Sequence, residues 1–94
     1  MVRIIKRTAR FKRDYKCEKM GRHRSYLDAA LLAGLRYLIK DLSLPKRYYD
    51  HPLTGNWKDH RDCHIKPDLI LIYRLPDPKM LELVRLGSHS ELSL

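Results

Sequence analysis

Asp68-Leu-Ile-Leu-Ile-Tyr-Arg-Leu75 is the stretch on which the fold turns. It is apolar at both parities from Leu69 to Tyr73, and Lys66-Pro67 before it and Pro76-Asp77-Pro78 after it leave too little length for a helix. A short run with no polar face reads as a central strand covered on both sides. Downstream, Pro76 to Lys79 forms a tight turn and Met80 to Leu86 returns as a second strand. Upstream, Asn56 to Ile65 alternates: Trp57, Cys63 and Ile65 share one parity, and Lys58, His60, Asp62 and His64 share the other. With Trp57 facing the helices, His64 is expected on the open side of the sheet.

The N-terminal half has a different period. Val2 to Lys6 is a short β-branched opening strand, and Thr8 offers an N-cap for a helix through about Lys19. Phe11 and Tyr15 give that helix a thin apolar stripe, Arg10, Lys12, Arg13, Lys16 and Lys19 crowd the rest, and Gly21 ends it. Ser25 followed by Asp28 is a capping arrangement, and Leu27, Leu31, Leu35, Leu38 and Leu42 recur at helical spacing, so a second helix is expected over about Tyr26 to Asp41. Pro45 closes it, and Lys46 to Thr54 is a polar loop that holds His51 outside regular structure. The order β-α-α-β-β-β describes an α+β fold with both helices on one face of the sheet.

Ninety-four residues make one domain over 1–94, able to bury roughly 60–70% of its unfolded surface. Twenty Lys and Arg against 11 Asp and Glu give a net charge of +9. Such a balance favours nucleic acid, a ribosome or an acidic protein as partner, with solubility as the plainer explanation. Cys17 and Cys63 are too few for a disulfide framework, and no Cys-x-x-Cys suggests zinc. Charged residues run from Arg3 to Arg24, so no signal-peptide core is expected, no apolar run reaches about 18 residues, and a cytoplasmic protein is expected.

The chemistry-bearing residues lie in His51-Pro-Leu-Thr-Gly-Asn-Trp57, Arg61-Asp-Cys-His64, Pro67-Asp68 and Arg85-Leu-Gly-Ser-His89. Metal-free RNA cleavage needs a base for the 2′-hydroxyl, an acid for the departing 5′-oxygen and positive charge on the phosphorane. Separated imidazoles with pKa values of about 6.5, together with an arginine, meet that need. Each residue also has a plainer reading: His51 as a solvated loop residue, Asp68 as a turn residue after Pro67, and Gly87 as a kink at a strand end. Trp57 reads as core. Tyr48 and Tyr49 either stack bases or anchor their loop. In an extended strand, Arg85, Gly87 and His89 share one face. His23 and His60 are expected to be exposed. Neither a metal nor an organic cofactor is expected.

Taken together, His51-Pro-Leu-x-Gly-x-Trp57, Arg61-Asp-x-His64, Pro67-Asp68, Ile70-Leu-Ile-Tyr73 and Arg85-x-Gly-x-His89 resemble the YafQ branch of the RelE/ParE toxin superfamily. The resemblance implies a twisted antiparallel sheet with two N-terminal helices. It implies the toxin of a type II toxin–antitoxin pair, a ribosome-dependent endoribonuclease that cuts translating mRNA, with a cognate antitoxin as partner. Carried over residue by residue, the catalytic groups are His51, His64, Asp68 and His89, with Arg85 beside the scissile phosphate. His64, helped by Asp68 and His51, would stand on the base side and His89 on the acid side. Arg10, Lys12, Arg13, Lys16, Lys46, Arg47 and Lys58 are the expected RNA-binding cations. The chain departs from the family in carrying Ser93 and Leu94 where an aromatic usually stands. Two other readings of the same residues are a non-catalytic, ParE-like inhibitor and a basic ribosome-binding module.

Overall fold

A computed structural model describes residues 2–94. Strand β1 (Ile4–Arg7) leads into helix α1 (Ala9–Lys19), and helix α2 (Leu27–Ile39) follows. A single 3₁₀ turn at Lys46–Tyr48 then precedes strand β2 (His51–Pro52), and a second at Gly55–Trp57 precedes β3 (Arg61–Lys66). Strands β4 (Leu69–Asp77) and β5 (Met80–Gly87) complete the meander, and a short helix α3 (His89–Leu92) ends the chain. The sheet order is β1-β5-β4-β3-β2. Pairing is antiparallel from β2 through β5, but β1 lies parallel to β5, with Ile5 opposite Leu81 and Arg7 opposite Leu83. The sheet is therefore mixed rather than wholly antiparallel. The helical pair carries the chain across the sheet, and β1 docks on the free outer edge of the meander's last strand.

Alternation along β4 divides the core. Leu69, Leu71 and Tyr73 face the helices and pack with Phe11, Leu27, Leu31, Leu35, Leu38, Cys63, Ile65, Leu81 and Leu83. Ile70 and Ile72 face the other way, under Val84, Leu92, Leu53 and Trp57. Trp57 thus covers the face opposite the helices. The expected parity does not carry from Trp57 to Cys63, because Gly55–Trp57 is a 3₁₀ turn and Asp59 takes a left-handed φ of 70°.

Thr8 caps α1 as its position suggests: its hydroxyl accepts from the Phe11 N–H at 3.0 Å and donates to the Val84 carbonyl at 2.8 Å, joining helix and sheet. The start of α2 differs from expectation. Tyr26 is its N-cap without a side-chain bond, and Asp28 instead accepts from Lys19 Nζ at 2.6 Å and from the Tyr15 hydroxyl. That carboxylate clips α2 to α1. The helix ends at Ile39, short of Asp41, which turns left-handed with φ 59°, and Leu42 is left exposed.

Candidate active site

The site is built by register across one face of the sheet. His51 opposes Asp62, Asp62 opposes Ile72, and Ile72 opposes Arg85. In the neighbouring row His64 opposes Ile70, which opposes Gly87. Opposed residues point to the same face, and these point away from α2, toward Leu92 and Trp57. His51 does not stand in an irregular loop, since with Pro52 it forms a two-residue strand on β3. Asp50, just ahead of it, is pinned by Arg61 Nε and Nη2 at 3.3 and 3.2 Å and by the Tyr73 hydroxyl. Burial and that carboxylate push the Tyr73 phenol up, so it stays a donor at any physiological pH.

His51, His64 and His89 converge. The His64 and His89 ring centres lie 5.2 Å apart, and His51 Nδ1 lies 3.0 Å from Asp62 Oδ1. The same Nδ1 is 2.7 Å from the Tyr49 carbonyl. A carbonyl only accepts, so Nδ1 carries the proton in neutral His51 and the lone pair sits on Nε2. His89 reaches the cluster from a helix rather than from an extended strand. Strand β5 stops at Gly87, and Ser88 caps α3 in a reciprocal capping box with Glu91. Gly87 is buried beneath that turn, where a Cβ would meet Glu91 Oε1 at 3.2 Å. The absence of a side chain lets α3 fold back and bring its first residue to His64.

The carboxylate in contact with His51 is Asp62, which alternation along the strand puts on the same parity as His64. It is 2% exposed, and Oδ1 is sealed from solvent with no well-formed hydrogen bond. Burial raises its pKa, opposed by the charges of His51, His64 and His89. Burial also lowers the His64 pKa against the pull of Asp62, and the neighbouring His89 and His51 lower it further. The available signal was the pairing of His51 with β3, which no period reveals in two residues.

Asp68 occupies the turn between β3 and β4, half exposed, with its carboxylate paired to Arg22. It lies two residues ahead of Ile70, the residue opposite His64. Arg85 is held on the site's face by Asp14 of α1, through Nε at 2.7 Å and Nη2 at 3.2 Å. Asp14 also accepts from the Leu86 N–H at 3.0 Å, capping the β5 edge beyond the end of β1. His23, expected outside, is buried with Nδ1 2.7 Å from the Tyr26 hydroxyl. His60 is partly covered and meets Trp57 edge-on. Tyr48 is core against Tyr37, while Tyr49 is exposed.

All seven expected RNA-binding cations are exposed, in two regions. Lys46, Arg47 and Lys58 flank the segment that carries His51. Arg10, Lys12, Arg13 and Lys16 lie on α1. Three of these border an apolar groove of about 940 Å³ with Ile5, Leu32 and Leu35. Among the described residues, no set of three or more His, Cys, Asp and Glu is arranged to hold a metal ion. No helix there is long and apolar enough to cross a membrane.

Known proteins share this architecture. An mRNA interferase toxin YafQ of Escherichia coli strain B / BL21-DE3 is 39% identical over 95 residues, covering 96% of this chain and 95% of that one. The toxin in the crystal structure of the E. coli DinJ-YafQ toxin-antitoxin complex superposes with a TM-score of 0.82 at 38% identity, covering 98% of each chain. A metal-bound toxin from Helicobacter pylori matches with a TM-score of 0.79 at 40% identity, over 98% of this chain and 99% of that one. The family model described as the bacterial toxin of type II toxin-antitoxin system, YafQ, matches residues 3–94, and the chain belongs to that family.

Proposed function

We propose that this chain is an mRNA interferase that cuts translating mRNA on the ribosome, with the His51–His64–His89 cluster as its acid–base machinery. The observation that carries the reading is the placement of three imidazoles around a buried carboxylate on one face of a cationic sheet. The relatives' activity and the DinJ complex support it, and an antitoxin of the same kind is the proposed partner. An mRNA substrate and a ribosome place the activity in the cytoplasm.

The chemistry follows from the atoms available. The 2′-hydroxyl attacks the adjacent phosphorus, its proton passing to a neutral imidazole while the 5′-oxygen departs with a proton from a charged one. His64, kept neutral by burial, suits the base, and His51 offers a second lone pair at Nε2. Asp62, against His51 Nδ1, favours the imidazolium that forms when Nε2 takes a proton. His89, on the exposed start of α3, is the acid. Asp68 lies at the edge of the site, where release from Arg22 would let it help His64. Arg85, its plane fixed by Asp14, braces the phosphoryl oxygens. The products are a 2′,3′-cyclic phosphate and a free 5′-hydroxyl. The seven exposed cations meet ribosomal and messenger phosphates.

The test is to map mRNA ends on programmed ribosomes and identify their chemistry, with and without a chelator. Cyclic phosphate ends, insensitive to chelation, are expected. Monoester ends that vanish on chelation would replace this mechanism with metal-activated water. Growth arrest with intact transcripts and altered DNA topology would point instead to a ParE-like inhibitor.

A further inference from the structure

Tyr49 is the one large aromatic in this region whose exposure the fold does not explain. Its neighbours are both anchors: Tyr48 is 4% exposed and packed edge-on against Tyr37, and Asp50 is held by Arg61 and Tyr73. Between them Tyr49 takes a left-handed backbone, φ 48° and ψ 41°, which bulky residues adopt rarely. That turn throws its ring outward, 68% exposed, yet its centre lies 5.5 Å from the His64 ring, tilted by 55°. Its carbonyl fixes the His51 proton on Nδ1. The backbone therefore serves the imidazoles, and the segment is anchored without the side chain. Trp57 is partly covered within the apolar cluster against Leu92, and Tyr26, less exposed at 39%, carries Lys66 over its ring. Ser93 and Leu94, after Leu92, are not aromatic.

We propose that Tyr49 is the stacking platform for an unpaired mRNA base beside the scissile phosphate, a substrate-positioning residue for the reaction proposed above, on which this inference rests. A base laid on the exposed ring sits next to His64 and His89, so stacking holds the adjoining phosphate at the groups that move protons. Stacking needs the π-face and not the hydroxyl. It is worth a factor of about five to a hundred per base.

The test compares native protein, Tyr49→Phe, Tyr49→Leu and Tyr49→Asn on programmed ribosomes, with His89→Ala alongside. Asn tolerates the left-handed backbone and so keeps the carbonyl on His51 while removing the ring. Phe is expected to keep the rate, and Leu and Asn to lose about tenfold or more in kcat/KM with unchanged melting temperature. Native rates for Leu and Asn, or a Phe variant as impaired as Asn, would overturn the proposal. A second readout does not depend on cleavage: quenching of 2-aminopurine in a short single-stranded RNA, expected with native protein and lost with Tyr49→Leu. Quenching that depends on Tyr49 without cutting by native protein would sink the nuclease and keep the platform, whereas equal quenching by both proteins would sink the platform.

Discussion

The two faces of β4 are built from one unbroken apolar run and do different work. Leu69, Leu71 and Tyr73 lie under two helices in a continuous apolar cluster, whereas Ile70 and Ile72 support a thin cover of Val84, Leu92, Leu53 and Trp57. The same outer face carries Asp62, His64 and Arg85 in register with those isoleucines. Stability is concentrated on the helix side. The other side is left thin enough for polar groups to reach solvent and substrate, so damage to the two faces should separate cleanly into lost folding and lost chemistry.

The largest expected effects test that separation directly. His89 is exposed, so His89→Ala should lower the cleavage rate by about 10²–10⁴-fold, the usual worth of a positioned acid, while melting within about 0.5 kcal/mol of native protein. Leu71 is fully buried on the helix side, and Leu71→Ala should destabilise by about 2–5 kcal/mol. Its melting temperature should drop by about 10 °C or more. Thermal melts beside cleavage assays decide the matter. A His89→Ala protein that unfolds as early as Leu71→Ala would break the division.

Asp62 sharpens the comparison, because on the site face a polar group is buried against its own solvation. Its pKa is raised by that burial, so between its ordinary value and the raised one the native state holds the proton more firmly than the unfolded chain does. Stability contributed by this group is complete at low pH and lost as pH climbs through that window. Asp62→Asn should therefore melt no lower than native protein at pH 7 while cutting more slowly by about tenfold or more. Loss of both stability and rate would show instead that the imidazoles already offset the buried charge.

His64 shifts the other way. Burial depresses its pKa below the ordinary imidazole value of about 6.5. The unfolded chain takes up the proton first, so its stability contribution is complete above about 6.5 and is lost as pH falls toward the folded value. Cleavage limited by neutral His64 should hold its rate as pH drops from 7 and decline only below 6.5. A rate already halved at pH 7 would place the essential base elsewhere.

How much of this was legible in the chain also divides by face. Leu69 to Tyr73 announced a doubly covered strand, and the leucines of α2 announced the helices, because long periodic burial leaves a repeated mark. The site face left weaker marks. His51–Pro52 is too short a strand to show a period, so the contact between His51 and Asp62 leaves no mark in the sequence, where Asp68 is the carboxylate that stands out. Continuing the strand past Gly87 placed His89 on an extended face, where Ser88 and Glu91 instead start a helix. Ser25 reads as the cap of α2, but Tyr26 takes that position and Asp28 pairs with Tyr15 and Lys19 of α1. The parallel pairing of β1 with β5 joins residues more than 70 positions apart, and no local pattern encodes it.

The smallest expected effects come from the exposed cations, and they ask whether both faces meet RNA. Each lysine that neutralises a phosphate releases counterion, so removing it should weaken ribosome binding modestly and flatten the dependence of log K on log salt by about one. Lys46 and Lys58 flank the segment bearing His51, whereas Lys12 and Lys16 border the apolar groove beside Ile5 and Leu32. Steered by the site face, the substrate should make Lys46→Ala and Lys58→Ala flatten the slope more than Lys12→Ala and Lys16→Ala do. Binding to ribosomes at four or five salt concentrations measures this, in a His89→Ala background that leaves the RNA uncut. Equal changes from both sets would mean that the phosphate footprint wraps the molecule, with α1 gripping RNA as firmly as the flanks of β2. A larger change from the α1 set would move the footprint to the helix side and leave the imidazoles at its margin.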